Sequence, residues 1–279
     1  MTSDTATPAA SGNRPSRDPL LTFKAPISTS LSLGLGVLAW ATFFAIWEGA
    51  VLLELGNPIL FPGPGQVLSA LYELLTERGL LWDIWVSVLR VMVSFGGACL
   101  VAIPLGILMG SFRAVEAFFN PVVSAWRYLP APAFIPLLLM WFGASEEQKF
   151  ALLFLGVIWF LVTLIMDHTR EISADLINTG ITLGGNRWQI LWTVVIPASL
   201  PGIVTAMRQM LAVSWTYLVI AEIVAADNGI GAMMMRAKRF VHVDEIMAGI
   251  VVIGVLGLTF DFALRQARKL LFPYLDDED

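Results

Sequence analysis

The chain has 279 residues, of which 57% are hydrophobic and only 14% are charged, and its mean hydropathy is +0.75. So few charged side chains cannot cover the surface of a water-soluble globule of this length, which excludes that class and indicates an integral membrane protein. The net charge of -5 is modest and gives no reason to expect a nucleic-acid partner.

The apolar runs divide the chain into a tail, a membrane domain and a short acidic end. Residues 1–26 are rich in Thr, Ala, Ser and Pro and contain no apolar stretch, so we expect a disordered cytoplasmic tail. Residues 27–275 form the membrane domain, and 276–279 are acidic and solvated. Six runs are long enough to cross about 30 Å of hydrocarbon: 31–53, 83–110, 116–143, 150–167, 198–225 and 244–271. An amphipathic piece at 67–75 is expected along the membrane surface.

The third run contains four prolines, at positions 121, 130, 132 and 136. Each proline removes a backbone donor, so we predict that this segment is not a straight helix. Broken helices persist at membrane depth only when they are buried in protein or line a cavity. Pro130 and Pro132 are therefore candidates for the wall of a passage, and a merely kinked packing helix is the alternative.

A polar segment at 178–203 separates two apolar runs. It begins as a short amphipathic helix, Gly184 and Gly185 favour a turn, and Pro197 and Pro201 are placed to start the next helix. Arg187 and Trp188 suit a membrane boundary. Because lipid cannot satisfy a polar loop, the segment lies outside the hydrocarbon. It is either an interfacial helix that joins two spans or a docking surface for another protein.

Three arginines fall within the predicted spans: Arg90, Arg127 and Arg208. A charge at membrane depth usually faces a cavity or a partner. For Arg90 the alternative is that it snorkels to the outer surface. Arg127 and Arg208 either pair with acids, for which Glu222 and Asp261 are available, or lie in a watery passage, where they favour anions.

Basic residues are unevenly distributed between the loops. With the amino terminus inside, nine of them fall on the cytoplasmic side: Arg14, Arg17, Lys24, Arg113, Arg170, Arg187, Arg265, Arg268 and Lys269. Five fall outside: Arg78, Lys149, Arg236, Lys238 and Arg239. This bias predicts that both termini and the 178–203 segment are cytoplasmic. The outer group at 236–239 violates the bias, which suggests contact with a partner or attraction of an anion.

The sequence offers no sign of catalysis. Cys99 is the only cysteine, and His168 and His242 lie far apart and outside any Cys/His cluster, so we expect no metal site. No Gly-Lys-Ser/Thr motif occurs, so we expect no nucleotide cofactor on this chain. An ATP-driven transporter would therefore carry its ATPase on another chain.

The spacing after Gly184 matches a known pattern, since nine residues separate it from Val194-Val195-Ile196-Pro197. This resembles the cytoplasmic loop of binding-protein-dependent ABC importer permeases, which reads E-A-A, three residues, Gly, nine residues, I-x-L-P. Asn178, Thr179 and Gly180 stand where that pattern has E-A-A. Four further segments resemble the nitrate, sulfonate, taurine and bicarbonate branch: FPGPGQVLSALYELL, IPLGILMG, RYLPAPAFIPLLLMWFG and AEIVAADNGIGAMMMRA.

The resemblance implies an all-α, MetI-like (type I) permease of about six helices in the bacterial plasma membrane. It also implies a homodimer or paired permease, two ATP-binding subunits that hold ATP and Mg, an extracytoplasmic substrate-binding protein, and a small anion as cargo. Residues of the ATPase-coupling loop would be Asn178, Thr179, Gly180, Gly184, Gly185, Arg187, Trp188 and Pro197. The outer gate would include Gly229, Gly231, Arg236, Lys238 and Arg239.

Trp215 and Glu222 are further candidates for the passage, and Glu222 is placed to brace the turn through Gly229. Two alternatives remain open. The same machinery would also suit a neutral or cationic organic molecule such as a vitamin precursor. An ion-coupled secondary transporter would need an acid in the membrane core, for which Glu222 and Asp261 are the candidates.

Overall fold

A computed structural model describes residues 27–57 and 59–274, and within these ranges every regular element is a helix. The predicted tails at 1–26 and 276–279 lie outside the described residues. The chain divides into two compact units between residues 55 and 56.

The first unit contributes one described helix, α1 (Thr29–Leu52), which agrees with the span predicted at 31–53. Ser28 caps it, because its Oγ accepts a hydrogen bond of 3.3 Å from the Leu31 N–H. Trp40, Phe43, Phe44 and Trp47 contact one another at ring-centroid distances of 5.5 to 6.2 Å. Among the described residues, α1 has none that is buried.

The described residues of the second unit form ten α-helices linked by short turns. In chain order they are α2 (Pro64–Thr76), α3 (Leu80–Ser111), α4 (Arg113–Arg127), α5 (Ile135–Phe142), α6 (Glu146–Arg170), α7 (Ala174–Thr182), α8 (Arg187–Ile190), α9 (Ile196–Ala225), α10 (Ile230–Arg239) and α11 (Val243–Leu271). A 3-10 turn (Ala131–Phe134) precedes α5, and a π-helical turn (Leu191–Val195) joins α8 to α9.

Five described helical runs are long and apolar enough to cross a membrane: α1, α3, α6, Arg187–Ala225 and α11. A sixth candidate is α4 together with Ala131–Phe142, two pieces bent by 82° at the break. This confirms a chain of about six spans. It also confirms that the proline-rich third run is not straight, and Pro130 and Pro132 lie at the break.

The fifth span begins about ten residues before the predicted start at Ala198. The prediction that Pro197 and Pro201 mark a helix start is confirmed for Pro197, which lies in the first turn of α9, and wrong for Pro201, which lies inside α9. A π-helical turn joins α9 to α8, so one helical run extends from Arg187 to Ala225. In the π-helical turn the Ile196 N–H bonds to the Leu191 carbonyl five residues back. This wider turn immediately precedes Pro197, so the helix continues across a residue that has no N–H to donate.

The core of the second unit is α6, with α3 and α9 packed along it. Gly106 of α3 lies against Ile165, and a Cβ at Gly110 would be 2.6 Å from the Thr169 Cβ. Both contacts advance together along α3 and α6, so these two helices run in the same direction. Gly156 of α6 similarly leaves no room for a Cβ beside Tyr217 of α9. Glycines therefore permit the close helix contacts that stabilise proteins in membranes.

Candidate functional site

The segment between α6 and α9 begins with a short, solvent-exposed helix, α7, which is followed by a tight turn. The N-terminus of α7 is capped by Ser173, whose Oγ accepts from the Asp175 N–H at 3.2 Å. α7 ends in a turn in which the Gly185 N–H donates to the Gly180 carbonyl at 3.0 Å. Gly184 has φ +83°, a backbone conformation that favours glycine. The predicted turn at Gly184 and Gly185 is therefore present.

α7 presents one face to solvent and another to the protein. Asn178 and Thr179 are exposed, whereas a Cβ at Gly180 would lie 3.3 Å from Ile190. The two polar positions of the Asn-Thr-Gly triplet therefore remain free to contact a partner, while its glycine packs inward. The docking role of the triplet stays a prediction.

Asn186 starts the helix that follows the turn. Its Oδ1 accepts from the N–H groups of Trp188 and Gln189 at 3.0 Å, and Gln189 Oε1 accepts from the Asn186 N–H at 2.9 Å. This reciprocal cap places Arg187 and Trp188 in the first helical turn. Both are exposed, and the Trp188 ring lies 6.0 Å from that of Phe112.

An ionic network joins helices at the opposite end of α3. Arg90, which is 2% exposed, donates from Nε and Nη2 to the two carboxylate oxygens of Glu146, at 2.7 and 2.6 Å. Its Nη1 donates to Glu222 Oε1 and to the Asn228 carbonyl, both at 2.7 Å. The alternative that Arg90 snorkels to the surface is therefore wrong, because protein acceptors satisfy its guanidinium inside the bundle.

The same network holds the first residues of α10. The Gly229 N–H donates to Asp83 Oδ1 at 2.6 Å, and the Ile230 N–H donates to Ser87 Oγ at 3.0 Å. The Gly231 N–H donates to Glu222 Oε2 at 2.8 Å. A helix N-terminus leaves such donors without partners within the helix, and here side chains of α3 and α9 satisfy them. This confirms that Glu222 braces the turn.

Gly229 and Gly231 make this arrangement sterically feasible. Gly229 has φ +115°, and a Cβ there would overlap Glu222 and Arg90. A Cβ at Gly231 would lie 2.7 Å from the Glu222 Cβ. Larger residues would therefore push α10 away from the network.

All three residues of the outer basic group are exposed, and one of them, Arg236, is paired. Arg236 donates to Asp83 Oδ2 at 2.6 Å and to the Asp227 carbonyl at 2.7 Å. Lys238 and Arg239 are exposed. Arg236 therefore belongs to the network, while a gate or partner role for all three residues stays a prediction.

Sequence reasoning missed Asp83, Ser87 and Glu146. A signal existed for the first two, because positions 83, 87 and 90 fall on one face of a helix that is otherwise apolar. Glu146 carried no such signal, because it lies in a polar run at the start of α6.

The two remaining membrane arginines differ in their partners. Arg208 Nε lies 2.5 Å from Asp261 Oδ1, so the structure supports the paired alternative for Arg208. Arg127 lies over the Tyr128 ring, 5.8 Å from its centroid. Within residues 27–57 and 59–274, no carboxylate lies within ion-pair distance of Arg127. Arg127 therefore lies beside the break in the third span without an acidic partner among those residues.

Residues 102–275 match the family described as the inner membrane component of binding-protein-dependent transport systems. The chain belongs to this family. It is similar to the taurine transport system permease protein TauC of Escherichia coli, with 32% identity over 91% of this chain and 94% of that protein. The putative aliphatic sulfonates transport permease protein SsuC of Bacillus subtilis is 30% identical, over 85% of this chain and 86% of its own length.

The nitrate import permease protein NrtB of Synechocystis is 28% identical, over 85% of this chain and 88% of its own. An inward-facing crystal form of the MetNI methionine ABC transporter shares the fold, with a TM-score of 0.60 at 20% identity. That match covers 68% of this chain and 95% of the MetNI chain. The chain is thus a multi-pass inner-membrane permease of an ABC importer, with a MetI-like fold, and it is a transporter subunit and not an enzyme.

One further predicted residue of the permease lines a cavity between helices. Trp215 is 4% exposed, packs on Phe260 at a ring-centroid distance of 5.7 Å, and lines a cavity of about 500 Å³ between α9, α10 and α11. A direct role in the passage stays a prediction for Trp215, and likewise for Arg90 and Glu222, whose charges have protein partners. In the described part of the permease, no group of three His, Cys, Asp or Glu residues is arranged to hold a metal.

Proposed function

We propose that this permease forms the passage of an ATP-driven importer for a small anion of the taurine, sulfonate, nitrate or bicarbonate class. The observation that carries the proposal is the 32% identity with TauC over nine-tenths of the chain. The relatives named for sulfonates and nitrate support the same class of cargo.

Arg127 is the residue that we assign to contact with the anion. It lies at the end of α4, three residues before Pro130, where the third span bends by 82°. A broken span exposes backbone groups that lipid cannot satisfy, so such a break is expected to line a watery space. A guanidinium without a carboxylate partner in that space offsets part of the cost of removing water from an anion.

α7 is the element that we assign to contact with the ATPase. It lies between two spans, has no buried residue and exposes Asn178 and Thr179. In the assembly that we propose, the permease is a homodimer. Two ATP-binding subunits, which hold ATP and Mg, contact it on the side where α7 lies. A substrate-binding protein then contacts the opposite end, near α10. The distribution of basic residues supports this orientation, with both termini in the cytoplasm.

Reconstitution with the ATPase and binding protein of the same importer tests the proposal. Uptake of taurine or nitrate into proteoliposomes should require ATP and both partners, whereas thiamine, as a cationic organic molecule, should not be taken up. Uptake by the permease alone, driven by a proton or sodium gradient, would overturn the importer assignment. ATP-dependent uptake of thiamine in place of the anions would overturn the cargo class alone.

A further inference from the structure

A cavity of about 340 Å³ lies between α7 and the adjoining ends of α3 and α6. Its volume is within the range of small-molecule binding sites in proteins. Its walls are largely aliphatic and come from the α6–α7 connection, α7, α8 and the π-helical turn: Ile172, Ile177, Ile181, Ile190, Leu191 and Val195. An occupant must therefore be mainly apolar.

The charged residues of the lining are all basic. Arg170 and Arg187 contribute to it, and no Asp or Glu does. Arg170 forms an ion pair with Glu116 of α4. Arg187 is exposed, and no carboxylate in the described part of the chain lies within ion-pair distance of it. The cavity therefore combines an apolar interior with one cation that has no acidic partner.

The position of the cavity coincides with the place where two spans end. α6 ends at Arg170, and the helical run of the fifth span begins at Arg187. Trp188 and Trp192 follow Arg187, one turn apart, and are 52% and 68% exposed. Exposed tryptophans beside a basic residue are typical of the boundary between hydrocarbon and lipid head groups.

We propose that this cavity binds one acyl chain of an anionic phospholipid, whose phosphate is held by Arg187. The exposed Trp188 and Trp192 mark the edge of the hydrocarbon beside the cavity, so an acyl chain that leaves the hydrocarbon there can enter the aliphatic interior. A guanidinium binds phosphate through two parallel hydrogen bonds, which suits Arg187 at the cavity edge. Basic pockets between membrane helices on one side of a bilayer are known to select anionic head groups.

A lipid in this cavity contacts the side of α7 that faces the protein. The inward side of α7 near Gly180 faces Ile190 and adjoins the cavity. An acyl chain there would limit how far α7 moves toward α3 and α6. This consequence rests on the proposed role of α7 in contacting the ATPase, whereas the lipid site itself does not.

Lipid retention by the full-length permease tests the site. The chain is placed in nanodiscs of phosphatidylcholine and phosphatidylglycerol in equal amounts, and the lipid that remains bound after release into detergent is measured by native mass spectrometry. Wild-type permease should retain phosphatidylglycerol in preference to phosphatidylcholine. Arg187→Gln should lower the retained phosphatidylglycerol by about fivefold, since each basic residue near an anionic head group contributes that order of affinity.

Two further variants separate this site from general surface attraction. Arg113→Gln removes an exposed arginine at the same end of α3 that does not line the cavity, and it should retain lipid as the wild type does. Ile177→Trp keeps Arg187 and enlarges a half-buried side chain of the cavity lining, so it should lower retention as much as Arg187→Gln. Equal losses in the Arg187 and Arg113 variants, or wild-type retention in Ile177→Trp, would overturn the proposal.

The ATPase subunit is the rival occupant of this region. Adding it to lipid-loaded permease should leave the phosphatidylglycerol bound, and its displacement would overturn the lipid assignment in favour of a protein contact. Lipid retention is measured without cargo or ATP, so its result is independent of the transport assay. If phosphatidylglycerol is not retained, the importer proposal is unaffected; if no anion is transported, the result on lipid retention is unaffected.

Discussion

The Arg90 guanidinium and the Glu222 carboxylate meet at 2.7 Å between Nη1 and Oε1, although 132 positions separate them in the chain. Arg90 is 2% exposed and Glu222 is 1% exposed. The pair links α3 to α9, and through Gly231 and Asn228 it also holds the start of α10. A buried pair that is fully hydrogen-bonded fixes the relative positions of the helices that carry it.

Arg90→Ala should lower the free energy of unfolding by about 3 to 5 kcal/mol, because it leaves the buried Glu222 carboxylate without its cationic partner. Glu146 keeps a second partner, Lys149, at 3.1 Å. Denaturant titration of the purified permease in detergent measures this change. Arg208→Ala is the matched control, since its bridge to Asp261 is partly exposed and Arg265 remains 3.4 Å from the same carboxylate. It should cost about 1 kcal/mol or less. Equal losses in the two variants would contradict the assigned role of the network.

Gly229→Ala should destabilise the attachment of α10 by about 1 to 3 kcal/mol, because φ +115° is strained for any residue with a Cβ. The Cβ would also overlap Glu222. Hydrogen exchange at the Gly231 and Met233 amides should then accelerate, while the centre of α6 keeps its protection. Gly254→Ala, at a helical glycine with open space around it, should leave exchange in α10 unchanged. Unchanged exchange in the Gly229 variant would contradict this account.

Gly184→Val should reduce ATP hydrolysis stimulated by the binding protein by about tenfold, because a β-branched residue cannot adopt φ +83° without strain that re-orients α7. The assay uses the complete importer in proteoliposomes. Gly96→Val provides the control, since a Cβ at Gly96 meets nothing within 4 Å and its backbone is helical. Normal stimulated hydrolysis in Gly184→Val would argue strongly against contact between α7 and the ATPase.

Arg127→Gln should reduce anion uptake by about tenfold or more while leaving assembly unchanged, because the glutamine keeps the hydrogen-bonding ability but not the charge that favours an anion. Arg127→Lys should restore part of the uptake. Initial rates at varied cargo concentration provide the measurement, and size-exclusion chromatography monitors assembly. Full uptake in Arg127→Gln would remove this residue from the passage.

Sequence reasoning succeeded where a local property decides the structure. Apolar length fixes where a chain can cross a membrane, so the spans at 31–53 and 83–110 agree with α1 and α3 to within three residues at each end. The prolines between 121 and 136 remove backbone donors, so the break in the third span followed from the sequence. The turn at Gly184 followed because glycine tolerates a positive φ.

Two predictions were wrong because residues elsewhere in the chain changed the outcome expected from the local sequence. Pro197 and Pro201 are ordinary markers of a helix start, yet only Pro197 lies in the first turn of α9, and a π-helical turn joins that turn to the preceding helix. Arg90 lies near the end of a span, where snorkelling is ordinary, yet Glu146 and Glu222 satisfy it inside the bundle.

The sequence by itself therefore determined the class of protein, most of the spans and the turn at Gly184, because these depend on hydrophobic length and backbone chemistry within one segment. Only the tertiary structure decided which charges meet. Arg90 pairs with Glu222 and Arg208 pairs with Asp261, whereas Arg127 has no acidic partner among the described residues. An ion pair forms between side chains that packing brings within a few ångströms, and that proximity depends on how α3, α6, α9 and α11 pack together.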